Sequence, residues 1–178
     1  MAFWSWSRTT ASNATADASI NWAEGQAPSS VNDSARAMMS ALASFRDDTA
    51  GAIASGGTST AYTVASYQSF DTRPHMAGQI IAFTPHTTNG ATVTLNVDGL
   101  GAIPLRSAPS TEIGAGVLVQ GTPYVALYNN TGTPDKDATA VGSSYNGAAS
   151  QWVVANEVSA SGWAAGSSLS GLPSPASH

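Results

Sequence analysis

Residues 22–51 read WAEGQAPSSVNDSARAMMSALASFRDDTAG, and this stretch decides how the chain is organised. Val31, Ala35, Met38, Leu42, Phe45 and Thr49 follow one another at gaps of four, three, four, three and four, the heptad spacing of a self-associating seam. Pro28 stands just outside the expected helix and Gly51 just past it. Ser29 and Ser30 are candidate N-caps, and Ser30 with Asp33 makes a weak capping box. Asp33 suits the positive end of the helix dipole, whereas Asp47 and Asp48 oppose it at the other end. A helix over about 30–49 is therefore expected, ending softly near Asp48 or Thr49. Two partners fit a seam this narrow: the chain's own sheet, or further copies of the chain about a symmetry axis.

On the N-terminal side, residues 1–21 (MAFWSWSRTTASNATADASIN) have no helical period and are rich in Ser, Thr, Ala and Asn. Phe3, Trp4 and Trp6 stand out in this polar segment. Either they fold back onto the domain, or they form an extended arm whose aromatics plug grooves on another protein, as large aromatics at interfaces do. The arm is the stronger reading, because a segment so polar has no core of its own.

On the C-terminal side, Ala52 to Thr60 reads as a flexible Gly/Ser linker. The period then changes to two. Tyr62 and Val64 mark a strand, Gln79 to Thr84 a second and Ala91 to Val97 a third, with Asn89-Gly90 as a hairpin turn between the last two. Val93, Leu95 and Val97 alternate with polar residues, predicting one buried and one wet face. Asp98-Gly99 and Gly101 turn the chain into Ala102 to Arg106, where Pro104 implies an edge or short strand. Val117 to Gln120 and Tyr124 to Tyr128 look like a further pair around Gly121, and Gln151 to Ala155 like a last strand. Between them, Asn129 to Ser150 is a long polar excursion, and Ser159 to His178 is low-complexity. The fold class expected is mainly β. It comprises an extended N-terminal arm (1–29), a heptad-patterned helix (30–50), a small antiparallel β-sandwich-like domain (60–157) and an extended C-terminal tail (158–178).

Composition narrows the function. Only 10% of residues are charged, and the formal charge is −5, against about 25% charged residues in an average domain. A surface so poor in charge suits close packing in a large assembly. The basic residues are scattered, so nucleic acid has no electrostatic footprint here and an anionic membrane has no anchor. There are no cysteines, hence no disulfide, thiolate nucleophile or Cys-based zinc site. The first ten residues lack the pattern of a signal peptide and no run is long enough to span a bilayer, so a soluble product made in the cytoplasm is expected.

The chain offers no catalytic constellation. His75, His86 and His178 share no local motif, and Asp135-Lys136-Asp137 lacks the rest of a calcium loop. No G-x-S-x-G elbow is present, GGTST lacks the lysine of a P-loop, and Asp47-Asp48 diverge on a helix. Neither an enzyme nor a cofactor is expected.

The segment NWAEGQAPSSVNDSARAMMSALASFRDD resembles the N-terminal module of tail fibre proteins from tailed bacteriophages and prophages. The resemblance is carried by Trp22, Glu24, Gly25, Pro28, Ser29, Val31, Asn32, Asp33, Ala35, Arg36, Met38 and Met39. GQIIAFTPHTTNGATVTLNVDGLGAIPLR is similar to the β module that follows in such fibres, with Thr94 to Gly101 and then Pro104, Leu105 and Arg106 at its centre.

The resemblance implies a homotrimer with a structural role in the virion. The oligomer interface would be Val31, Ala35, Met38, Leu42 and Phe45. The virion-anchoring residues would be Phe3, Trp4, Trp6 and Trp22, set against tail, neck or capsid proteins. Two features depart from the family pattern: the chain stops at His178, and the excursion before Ser150 is long. They leave a short fibre, a collar or head decoration, and an adaptor carrying another fibre as the forms expected. The alternative is a module binding a host receptor or glycan, with Tyr128 and Tyr145 as candidate contacts and Trp152 assigned to the core.

Overall fold

The computed structural model describes residues 3–108, 111–129 and 151–154. Helix α1 runs Pro28–Thr49. It starts earlier than expected: Ala27, in extended backbone, is the N-cap and Pro28 is the first helical residue, a position where a missing N–H costs nothing. The capping box does not form. Ser30 instead sends its hydroxyl back to Gln26 Oε1 and the Ala27 carbonyl, both at 2.8 Å, and Asp33 pairs with Arg36 at 3.0 Å in water. At the far end Ala50 closes the last turn and Gly51, at φ +79°, leaves it in the left-handed conformation. Glycine is needed there twice over, since a Cβ would also lie 2.9 Å from Pro123 Cβ.

The helix buries Ser34, Ala37, Ala41 and Asp48, mostly small residues, and packs on strand β4 (Ile80–Thr84). Within β4, Ile81 and Phe83 face the core. Ala82 faces the opposite way and is buried too, because α1 covers that side of the strand.

The segment expected to be a linker is strand instead. β1 (Ile53–Ala54) pairs parallel with β4, and β2 (Gly56–Thr58) forms a hairpin with β3 (Ala61–Val64). Gly57 is required on two counts: its φ is +86°, and a Cβ there would sit 2.1 Å from the Ala61 carbonyl oxygen. The β structure thus begins at Ile53, ahead of residue 60.

The remaining strands are β5 (Thr94–Val97), β6 (Ile103–Ala108), β7 (Thr111–Glu112), β8 (Tyr124–Asn129) and β9 (Gln151–Val154). Pairing runs β1-β4-β8-β9-β6-β5-β3-β2, with β7 on β6. The expected all-antiparallel arrangement is corrected to a mixed one, in which β1/β4, β3/β5 and β6/β9 are parallel. Strand β6 changes partner along its length: Ile103 and Pro104 pair with β5, whereas Leu105 and Arg106 pair with β9. Pro104 therefore lies in a strand with neighbours on both sides, not at an edge. It is tolerated because the ladder to β9 begins only at Leu105.

Two other local expectations fail for the same kind of reason. Asn89-Gly90 is not a hairpin turn, since β4 and β5 do not pair. Asn89 is buried, and its side chain donates to the carbonyls of Gly90 and Gly114 and accepts the Leu118 N–H at 2.7 Å. Val117 to Gln120 is a loop, not a strand. It is held by that bond and by the Tyr124 hydroxyl, which accepts from Val119 N–H and donates to the Val117 carbonyl, both at 2.9 Å. By contrast Asp98-Gly99 turns as expected, both residues having positive φ and the Leu100 N–H reaching the Val97 carbonyl at 3.0 Å. The core is filled by Trp152, Tyr62, Tyr128 and Phe83, the largest fully buried side chains among the described residues.

Candidate functional site: the aromatic arm and the outer face of the helix

The aromatic residues of the arm fold back onto the chain. Residues Phe3–Ser5 form a single tight turn, which sends Phe3 and Trp4 in different directions. Phe3 stacks on Phe45 of α1, ring centroids 4.8 Å apart, and tilts against Trp6 at 5.3 Å. Trp4 stacks on His75, centroids 4.1 Å apart and planes 18° from parallel, and packs against the edge of the core. His75 Nδ1 is in turn 2.5 Å from Asp71 Oδ1. Burial opposes ionisation of Asp71, but its bond to His75 prevails and holds its carboxyl below the usual range.

Polar residues account for the path of the arm. Asn13 accepts the Ser7 N–H at 2.7 Å and donates to the Ser7 carbonyl at 2.8 Å. Ser34, buried on α1, accepts the Asn21 N–H at 2.8 Å and donates back to the Asn21 carbonyl at 3.0 Å. The composition that suggested an unstructured arm is what ties it down. Trp22, just beyond, is 48% exposed. Of the four anchoring candidates it alone keeps an open face, while Phe3, Trp4 and Trp6 are partly covered within the chain.

The seam residues fall on a different face from the one that packs on β4. Val31 and Leu42 are 40% and 48% exposed, and neighbouring Met39 is 70% exposed. Ala35 is open as well, Met38 is half-buried under the arm, and Phe45 is half-covered by Phe3. The helix thus carries two adjacent apolar stripes, a small-residue one used within the chain and a larger one facing out. Between the arm and α1 lies a cavity of about 150 Å³, lined by Trp6, Ile20, Trp22 and Met38 together with the polar Asn13 and Asp17.

Asp48, which opposes the helix dipole, is fully buried at the end of α1. Its carboxylate accepts the Tyr67 N–H at 2.7 Å, the Gln68 N–H at 3.2 Å and the Gln68 side-chain amide at 3.0 Å. Burial pushes its carboxyl above the usual range in spite of these bonds. Asp98 holds the same loop from the other side, accepting from Ser66 N–H, Ser66 Oγ and Phe70 N–H.

Candidate contacts for a glycan are not supported where they can be seen. Tyr128 is completely buried and packs on Trp152, centroids 5.0 Å apart. It is a core residue because it shares the inward face of β8 with Ala126 and Tyr124, two and four residues before it. Tyr145 lies outside the described residues, as do the Asp135-Lys136-Asp137 run and the C-terminal tail. The nearest approach to a catalytic pair is Ser55 with His86, whose Nδ1 is 2.9 Å from the Ser55 hydroxyl. That hydroxyl also accepts the His86 backbone N–H, and no carboxylate among the described residues is bonded to His86. The pair closes the connection between β1 and the end of β4. Among the described residues, no three His, Asp or Glu side chains are grouped to hold a metal, and no helix is long and apolar enough to cross a membrane.

Comparison of the chain with protein-family models, with curated proteins and with solved structures returns no match. Ser34, Ala37, Ala41 and Asp48 are the inward face of the helix, which the heptad spacing does not mark. Their gaps of three, four and seven fit one helix face, but Ala and Ser carry little hydrophobic signal and Asp carries the opposite one.

Proposed function

We propose that this chain is a structural component of a tailed-phage virion, a short trimeric fibre or appendage. In this reading the arm and helix attach it to the particle, and the β domain projects outward as a sandwich-like unit whose two sheets share β6. The observation that carries the reading is the exposure of Val31 and Leu42 at heptad spacing, on a helix whose contact with its own sheet is already satisfied by Ala37 and Ala41. A helix serving only its own domain gains nothing from large apolar side chains on the water side.

Three copies about an axis would bury Val31, Ala35, Met38 and Leu42, with Phe45 entering alongside its Phe3. Fewer than three heptads are marginal alone, so contacts made by the arm would contribute. Assembly is the mechanism, and no chemistry is required of any side chain. The partners are further copies of the chain and tail, neck or capsid proteins, and the location is the virion.

The test is the mass of the full-length protein in solution by sedimentation equilibrium. A trimer is the expected result. A monomer up to the highest soluble concentration would remove the seam and leave an adaptor or decoration protein as the better description.

A further inference from the structure

We propose that the cavity between the arm and α1 is a cation site, which takes the ammonium or guanidinium end of a lysine or arginine side chain from the virion protein to which the appendage attaches. The source of that side chain rests on the attachment reading above. The chemistry of the cavity does not.

Size comes first. The cavity, about 150 Å³, falls well below the ~300–1,000 Å³ of sites for drug-sized molecules. An apolar space of this volume holds a group about as large as benzene, which means one side chain and not a sugar chain or a nucleotide. Ile20 and Met38 offer an apolar wall for an alkyl stem, and Trp6 and Trp22 offer two indoles. Indole faces are the strongest of the aromatic partners for a cation.

Charge decides among the side chains that would fit. One oxygen of Asp17, Oδ1, accepts the Ser19 backbone N–H at 2.9 Å and the Ser19 hydroxyl, which fixes the carboxylate in place. The other oxygen, Oδ2, is buried and has no hydrogen-bond partner. A buried carboxylate oxygen left so is costly unless a donor reaches it. The Trp6 indole N–H leans toward it without closing a bond. Burial works against ionisation of Asp17, yet the Ser19 bonds, with smaller help from the Trp6 indole N–H and the positive charge of the N-terminal amine, outweigh it and hold the carboxyl below the usual range, so the group is charged at neutral pH. Asn13, the other polar group of the lining, is committed to Ser7 through both ends of its amide. An oriented anion, two indoles and an apolar wall form a cage for a long, positively charged side chain.

The experiment follows the indole N–H resonances of the full chain during titration with N-acetyl-lysine methylamide. A parallel titration uses N-acetyl-norleucine methylamide, which has the same kind of stem without the charge. Saturable shifts of the Trp6 and Trp22 indoles with the lysine compound alone are expected. In Asp17→Asn that affinity should fall about tenfold, the loss of one charge-assisted contact. Equal shifts with both compounds would make the cavity a plain apolar recess, and no shift with either would make it space filled by a second copy; each overturns the proposal. Because Asp17→Asn also loosens Ser19, the wild-type protein is titrated at falling pH as well. Lysine binding must weaken as Asp17 takes up its proton, and binding that ignores that range overturns the proposal. The mass of the same sample keeps the two claims apart. A monomer that binds lysine leaves the cation site standing without the trimer, and a trimer blind to lysine does the reverse.

Discussion

The rings of Phe3 and Phe45 stack 4.8 Å apart, 28° from parallel. One belongs to the aromatic arm and the other to the heptad seam, so two features that look independent along the chain are in contact. Phe3→Ala should cost about 1–2 kcal/mol, the stacking of one aromatic pair plus part of its buried area. It should also free the arm, which tryptic cleavage after Arg8 would report as faster than in the wild type. Unchanged cleavage would mean that Ser7–Asn13 and Asn21–Ser34 hold the arm without the stack.

Neighbouring residues on α1 should behave in opposite ways. Leu42, 48% exposed, sits on the outer stripe; Leu42→Asp should leave the unfolding of the single chain within about 0.5 kcal/mol of wild type while abolishing the proposed trimer in light scattering. Ala41 is fully buried on the inner stripe. Ala41→Leu should destabilise the chain by about 1–3 kcal/mol through overpacking against β4, whatever its state of association.

Asp48 gives a pH dependence of determined sign. Burial raises its carboxyl in the folded chain, so the folded state takes up this proton more readily than the unfolded state does. The resulting contribution to stability is complete below the ordinary carboxylate value and is lost as pH rises through the raised one. Asp17 and Asp71, whose carboxyls are held low, act in the other direction, which is why the comparison must be with a variant. Asp48→Asn should remove the decline in melting temperature just above the usual carboxylate range. It should also cost about 1–3 kcal/mol, because an amide –NH₂ would meet the donors of Gln68. Identical pH profiles for the two proteins would contradict this.

Gly51→Ala combines two penalties. The residue has φ +79° and its new Cβ would meet Pro123 at 2.9 Å. A loss of about 2–3 kcal/mol is expected from the left-handed conformation and the shift of the loop before β8. Thermal unfolding measures it directly, and a loss under about 0.5 kcal/mol, the range of an inconsequential surface change, would show that the helix exit is freer than its geometry implies.

What could be read from the chain divides along a physical line. Local signals worked where the cause is local: Gly51 ended α1, Asp98-Gly99 turned, and the alternation of Leu95 and Val97 marked a strand. They failed where the partner is distant. Nothing near Asn89 announces that its amide will bridge Gly114 and Leu118, and nothing in GGTST announces a hairpin with β3. Parallel pairing of β3 with β5 joins segments that no turn connects. The folded-back path of the arm is not legible in its polar composition, because Asn13 and Ser34 spend their hydrogen bonds on the backbone of the arm. At the candidate site, the aromatic residues and the outer stripe of α1 were legible. Asp17 and Ile20 were not, since their role arises only once the arm lies across Met38.

The passage from α1 into the sheet has a mechanical consequence. Gly51 follows the last turn, its carbonyl is gripped by the Thr84 hydroxyl at 2.7 Å, and Ile53 is already paired with β4. There is no slack at this joint. Tension or torque applied to the helix would pass into the strands at once, so the β domain would turn as a lever turns with its shaft and would hold a fixed bearing relative to whatever grips the helix.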